Sequence, residues 1–419
     1  MKIGIVGSGI SGLGAAYFLK SRYGHEVDVF EKNDYAGGHT NTIQVDGGLP
    51  VDTGFIVFNE RTYPELIRLF DELGVESQES DMSFSVMNRK SGLEWGGTEF
   101  RTIFAQKRNL LNPRFLGMLL SAKRFFEYGV RDFPVLHPDL TIGEYLKSRG
   151  FSTYFRENFV VPMASAVWST PMDEMEGFPA QSLLQFFKNH GMLDIDRTVT
   201  WRTLVGGSWS YVRTLREKAG INASLNRPAL EVRRNARGAE IVTNDGVFAY
   251  DAVLMACHSD QTVQLYSDMP PSHRSIMSHF RYQPNQAILH SDESVMPTNR
   301  AAWASWNFKV LEDGRSCTVY WMNRLQNLNT EKNYFVSINE VDPVDESLIH
   351  RVIDYEHPLF DVQAIKHQKD LLRINEDGPV HYCGAYFRYG FHEDGLWSGI
   401  KAAQSIDASL RRAESLARS

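Results

Sequence analysis

Cysteine is scarce in this chain. Cys257, Cys317 and Cys383 are the only three in 419 residues, odd in number and far apart, with no CxxC or Cys/His ligand spacing around them. No metal centre follows from them, and a reducing cytosol is the natural compartment. Long hydrophobic runs are missing too: nothing approaches the roughly 20 consecutive apolar residues that span a bilayer. Excess positive charge is also lacking. Lys plus Arg total 44 against 51 Asp plus Glu, a net charge of −7, which argues against a nucleic-acid partner. Without HExxH, GxSxG or a GK[ST] loop, zinc protease, serine hydrolase and ATPase readings drop out. Neither an internal repeat nor a low-complexity linker interrupts the chain.

What remains is a sequence with 42% apolar and 23% charged residues, enough for a large core and two domains. Lys2 to Val6 reads as a buried strand, followed at once by Gly7-Ser8-Gly9-Ile10-Ser11-Gly12 and a helical run from Leu13 to Lys20. A strand so close to Met1 leaves no room for a signal peptide, so the protein is expected in the cytoplasm. Strand, tight turn and helix form a dinucleotide-binding opening. Gly7 permits the turn, Gly9 lets backbone approach a pyrophosphate, and Gly12 allows close packing of helix on strand. The helix N-terminus offers N–H groups to the phosphates. Glu26 to Glu31 alternates like a second strand, and Glu31 falls where an acid holds a ribose hydroxyl pair.

Later blocks recur in a telling order. Gly37-Gly38-His39-Thr40 follows the second strand, and Val51-Asp52-Thr53-Gly54 closes another short one. Gly206-Gly207-Ser208 precedes a helical stretch, Ala229 to Ala256 reads as a hairpin plus a strand, and Val380 to Ala385 is a strand before a helix opening near Gly395. In this order the blocks resemble the flavin-containing amine oxidase and phytoene desaturase superfamily. Closer wording in Asp52 to Pro64, Asp81 to Ser85 and Gly390 to Gly395 is similar to one bacterial branch, predicted NAD/FAD-binding proteins associated with cyclopropane-fatty-acid synthases.

The resemblance implies an α/β fold: a Rossmann-like FAD-binding domain of glutathione-reductase/amine-oxidase type with an inserted mixed α+β substrate domain. Residues 1–65, 201–265 and 377–419 would form the FAD domain, and 66–200 with 266–376 the substrate domain. The cofactor implied is non-covalent FAD, since the cysteine-bearing motif of covalent monoamine oxidases is absent. Its implied contacts are Gly7, Gly9, Ile10, Ser11, Gly12, Glu31, Lys32, Gly37, Gly38, His39, Thr40, Thr53, Gly54, Phe55, Val232, Gly384, Glu393 and Gly395. His39 stands where the family usually carries a basic residue. The hairpin within Ala229 to Ala256 is expected to complete the sheet beside the adenosine, and Asp394 reads as a first-turn acid.

In such proteins the chain positions substrate against flavin N5, which takes a hydride. Tyr386, Tyr389 and His392 lie between the last strand and helix and are the catalytic candidates, with Phe391 beside them. His392 is the candidate proton donor or acceptor, because histidine titrates near neutrality. Ala302 to Trp306 and Thr318 to Trp321 read as alternating strands, and Trp303, Trp306, Tyr320, Trp321 and Arg324 favour core over pocket. The leading function is an FAD-dependent oxidoreductase acting on an apolar, fatty-acyl or lipid chain. A flavin amine oxidase, a fatty-acid double-bond isomerase and a non-catalytic partner of a lipid methyltransferase remain open. Gln106 to Phe126, basic and acid-free among leucines, reads as an amphipathic helix suited either to the substrate domain or to peripheral contact with the inner face of the membrane.

Overall fold

The computed structural model describes residues 1–193 and 199–418. The opening strand Lys2–Val6 is buried after its first residue, and a strand buried on both faces calls for parallel neighbours covered by further layers. It lies at the centre of a five-stranded parallel sheet, in the order Ala223–Ser224, Glu26–Phe30, Lys2–Val6, Ala252–Met255, Val380–Tyr382. One face packs against the helices Ile10–Ser21, Trp209–Ala219 and His392–Arg418 over Ile3, Ile5, Leu13, Leu254 and Leu396. An antiparallel sheet of Glu231–Arg234, Ala239–Thr243 and Gly246–Tyr250 covers the other. Gly4 permits that approach, because a Cβ there would stand 2.7 Å from Ile241 and Tyr250 carbons.

A seven-stranded mixed sheet forms the second half, ordered Ile349–Leu359, Arg281–His290, Phe335–Ile338, Ser316–Trp321, Trp306–Val310, Phe84–Asn88, Leu93–Gly96. Register places Trp306, Tyr320, Asn285, Tyr355 and His357 on one face. The helices Pro113–Asp132, Ile142–Ser148, Val161–Trp168 and Ala180–Asn189 form a layer whose core joins Val86 and Trp95 of that sheet. Ile142–Ser148 starts at a capping box in which Thr141 and Glu144 satisfy each other's backbone N–H. Among the described residues no helix is long and apolar enough to cross a membrane.

Packing departs from the sequence reading in four places. The hairpin Ala239–Tyr250 lies across the parallel sheet instead of extending it, and only Ala252–Met255 joins the ladder. Ala302 to Ser305 is not strand: Asn299 accepts the Ala301 N–H, caps a 3₁₀ turn over Arg300–Ala302, and the strand starts at Trp306. Gln106 to Phe126 is two elements, because Asn112 caps Pro113–Asp132 and leaves Lys107–Leu111 as a separate turn. Finally, three segments that the resemblance assigns to the substrate domain pack into the cores on the two faces of the parallel sheet. Leu66, Leu69, Phe70 and Leu73 join the helical face, while Met277, Phe280, Ala364 and Leu371 join the opposite one.

Candidate functional site

The three glycines after the opening strand differ in what they answer to. Gly7 sits at φ +106°, with a virtual Cβ 2.7 Å from the Ala256 carbonyl oxygen, and a Cβ at Gly12 would lie 2.1 Å from the Gly7 oxygen. The fold itself demands both. Around Gly9 no described atom comes within 4 Å of a virtual Cβ. That space opens at the start of Ile10–Ser21, a helix with no side-chain cap and no acid in its first turn, and such a start binds anions. Ser11 and Ile10 are buried in that first turn.

Two further turns frame the space. The Gly37 N–H donates to the Ser8 carbonyl at 3.0 Å, Gly37 bridges Gly9, and a Cβ on Gly38 would stand 3.1 Å from Gly9 Cα. Only glycine allows two backbones so close. Glu31 is buried at the end of its strand, accepting Ser8 N–H at 3.0 Å, Ser8 O–H at 2.6 Å and Asn33 N–H at 2.9 Å. Its carboxylate is thereby fixed beside the glycine loop, with one lone pair on Oε1 left for a ribose hydroxyl. Neighbouring Lys32 is exposed. Val232 is fully buried between the hairpin and Tyr266, its carbonyl accepting the Ser267 N–H.

His39 follows the double glycine and is held from behind. Phe55 N–H donates to its carbonyl at 2.7 Å, and Gly54 is required because a Cβ there would lie 2.1 Å from the same oxygen. The His39 ring stacks on Tyr355 at 4.9 Å and meets His357 at 5.1 Å. Thr53 Oγ1 fixes Tyr355 through its hydroxyl at 2.9 Å. His357 Nδ1 accepts from the Asn285 side chain at 2.7 Å. Burial, with His357 nearby, pushes His39 well below the ordinary histidine value, and burial takes His357 down to about 4. Both rings lie deep in the chain yet keep accessible surface, as do Gly9 and His392, so they line an internal cleft. Among the described residues His39 Nε2 has no hydrogen-bond partner, and the same holds for Trp306 Nε1 and Ser165 Oγ. Each is a buried polar atom that the chain's own groups leave unsatisfied.

The C-terminal helix reaches the cleft with its first turn. Gly395 passes Ile10 and Ser11 so closely that a Cβ would stand 2.8 Å from Ile10 Cγ2, and one on Gly399 would lie 2.3 Å from the Ser11 carbonyl oxygen. Gly384 is likewise closed, by the Tyr386 ring. His392 stacks flat on Phe55 at 3.9 Å, and its Nε2 hydrogen bonds with Tyr211 Oη at 2.7 Å and Thr40 Oγ1 at 3.0 Å. Burial lowers it to about 3, so this environment does not give the near-neutral titration expected of it. Glu393 is turned away from the cleft: its carboxylate accepts the Glu65 and Leu66 N–H groups, each at 3.0 Å, and caps the helix Pro64–Leu73. Asp394 accepts Tyr389 and Phe391 N–H at 3.1 and 3.0 Å.

The other catalytic candidates separate. Tyr389 and Phe391 pack into the helical layer against Phe186, and the Tyr389 carbonyl accepts Trp168 Nε1–H at 3.2 Å. Tyr386 is fully buried in the opposite core against Phe280, its hydroxyl 3.9 Å from Met277 Sδ, so it cannot meet a ligand in the cleft. Of the aromatic candidates here, Trp306 and Tyr320 face the cleft side, while Trp321 packs on the reverse against Trp303, which precedes the strand. Tyr211, Tyr355, His357 and Asn285 escaped the sequence reading. The alternation Ile353-Tyr355-His357 was the available signal for two of them.

This geometry agrees with what the chain is similar to. AofH of Mycobacterium tuberculosis (strain H37Rv), inferred to be a flavin-containing monoamine oxidase, is 24% identical over 66% of this chain and 61% of its own length. The chain thus spans about three fifths of that relative. The 1-hydroxycarotenoid 3,4-desaturase of Flavobacterium sp. (strain P99-3) is 37% identical over 26% of this chain and 24% of its own. Among solved structures, cyclohexylamine oxidase from Brevibacterium oxydans superposes with a TM-score of 0.70 at 16% identity, covering 98% of this chain and 99% of that one. The fatty acid isomerase from P. acnes that produces CLA gives 0.68 at 14%, covering 98% of each chain. The family model for flavin containing amine oxidoreductases matches residues 10–346, so the chain belongs to that family.

Proposed function

We propose that the substrate is an uncharged, apolar organic molecule, with a fatty-acyl or lipid chain as the class that fits best. The neutrality of the cleft carries this reading. Burial keeps His39, His357 and His392 uncharged, while Glu393 and Asp394 are spent on backbone N–H groups. A charged substrate would find no counter-ion among these groups, and desolvating it would be costly.

When bound, FAD supplies the acceptor for a hydride leaving the substrate. The chain's own groups do the rest. The open backbone at Gly9 and the fixed Glu31 bind the dinucleotide, Trp306 and Tyr320 offer flat apolar walls, and the helical layer excludes water. FAD is held without a covalent bond: Cys383 and Cys317 are buried with their thiols pushed up by burial, and Cys257 is raised to about 11, so none is a ready nucleophile.

Amine oxidation is the second reading, favoured by the aromatic wall of Tyr355, Trp306 and Tyr320 and by the likeness to AofH. Anaerobic mixing of the yellow protein with long-chain acyl lipids and with primary amines, following flavin absorbance, separates the two. Bleaching by acyl lipid is the expected result, and bleaching by amines alone overturns it. A rearranged double bond without net bleaching would assign isomerisation instead.

A further inference from the structure

The helical layer turns an uncommon surface outward. Leu110, Leu111, Leu116 and Leu120 are all exposed, Leu111 at 89% and Leu120 at 69%. The helix Pro113–Asp132 buries Phe115, Met118, Ala122 and Phe125, so Leu116 and Leu120, one turn apart, share the opposite side. Asn112 accepts the Arg114 and Phe115 N–H groups, which stops the helix and presents Lys107–Leu111 as a separate knuckle before it. From Phe100 to Phe126 the chain contains six Lys or Arg and no acid, within a protein of net charge −7. Among the described residues Lys107, Arg114 and Lys123 are exposed, and no carboxylate pairs with them. Arg124 differs, lying over the Tyr128 and Phe151 rings.

We infer that this surface seats the protein on an anionic phospholipid bilayer. Leu111 and its neighbours enter the acyl boundary, and the unpaired cations meet lipid phosphates. The charge pattern selects this occupant: apolar contact alone would suit any partner, whereas several cations left without acids around a leucine knuckle complement a uniformly negative plane. The inner face of the same helix packs into the core that reaches the cleft-bearing sheet, so docking sets that layer against the lipid. The inference does not depend on the substrate reading.

Flotation of the full-length, FAD-loaded protein with vesicles of phosphatidylglycerol, and separately of phosphatidylcholine, tests it. Binding is expected to phosphatidylglycerol at low salt, weakened by added salt. Leu111→Ser should lower partitioning by roughly tenfold, the worth of one exposed leucine withdrawn from lipid, and Lys107→Gln with Lys123→Gln by about thirtyfold. All three substituted side chains are exposed, so flavin colour and solubility should hold. Wild-type protein that ignores phosphatidylglycerol, or variants that float like wild type, overturns the inference. So does equal binding to phosphatidylcholine, or loss of a protein dimer by Leu111→Ser without any vesicle binding.

Discussion

A Cβ at Gly12 would stand 2.1 Å from the Gly7 carbonyl oxygen, whereas one at Gly9 would have no described atom within 4 Å. Gly9→Leu should therefore leave the apoprotein's urea midpoint unchanged and abolish FAD retention, while Gly12→Val should destabilise the apoprotein itself by about 1–3 kcal/mol. Equal losses of stability would show that the space at Gly9 serves the fold alone. His392 makes a different prediction. Its value of about 3 in the folded chain lies below the ordinary 6.5, so between them the unfolded chain holds a proton that the folded one lacks. Stability then falls as pH drops from 6.5 towards 3. His392→Gln should flatten that slope by about 1.4 kcal/mol per pH unit, the worth of one proton, as read from urea midpoints at several pH values. An unchanged slope would place the acid sensitivity on other groups. At this scale the sequence made the glycines and Glu31 legible, because each answers to backbone geometry a few residues away. The stack of His39 on Tyr355 and His357 was not, since it joins two ends of the chain that only the sheet register brings together.

Among the elements, the start of Pro64–Leu73 depends on a residue from the far end of the chain. Its N-cap position, Tyr63, makes no side-chain cap, and the Glu393 carboxylate satisfies two N–H groups there. Burial raises Glu393 to about 7 while those two N–H groups oppose the rise. Glu393→Ala should cost about 1–3 kcal/mol, the range for stranding buried donors, and should loosen Leu66 and Phe70 as seen by hydrogen exchange. A variant as stable as wild type would show that water replaces the carboxylate at no cost. Some helices carry their start in local sequence, as Ile142–Ser148 does with the capping box of Thr141 and Glu144. The break at Asn112 was less so, because the apolar spacing continues through it and only the Asn-Pro pair marks the new start. Glu393, which the resemblance implied as an FAD contact, gave no local sign of the distant helix it caps.

For the whole molecule, the family order of motifs was legible because each follows a strand end, although only those after Lys2–Val6, Glu26–Phe30 and Val380–Tyr382 stand on the parallel sheet, those after Leu49–Asp52 and Trp201–Leu204 belonging to small antiparallel sheets. The allotment of chain to domains was less so: Pro64–Leu73 and Val362–Ile374 carry ordinary amphipathic patterns that do not say which core they fill. That same sheet has a temporal consequence. Lys2–Val6 pairs with Ala252–Met255, which pairs with Val380–Tyr382, and the glycine loop is closed over by Gly395 and Gly399. At roughly 5–20 residues per second of synthesis, the first strand waits about 20–80 s on the ribosome for its last neighbours. During that interval the nascent chain holds an apolar strand and a half-built nucleotide loop, with the long-range pairings that make folding slow. Cofactor capture is therefore expected among the closing events of biogenesis, after the last strand has paired.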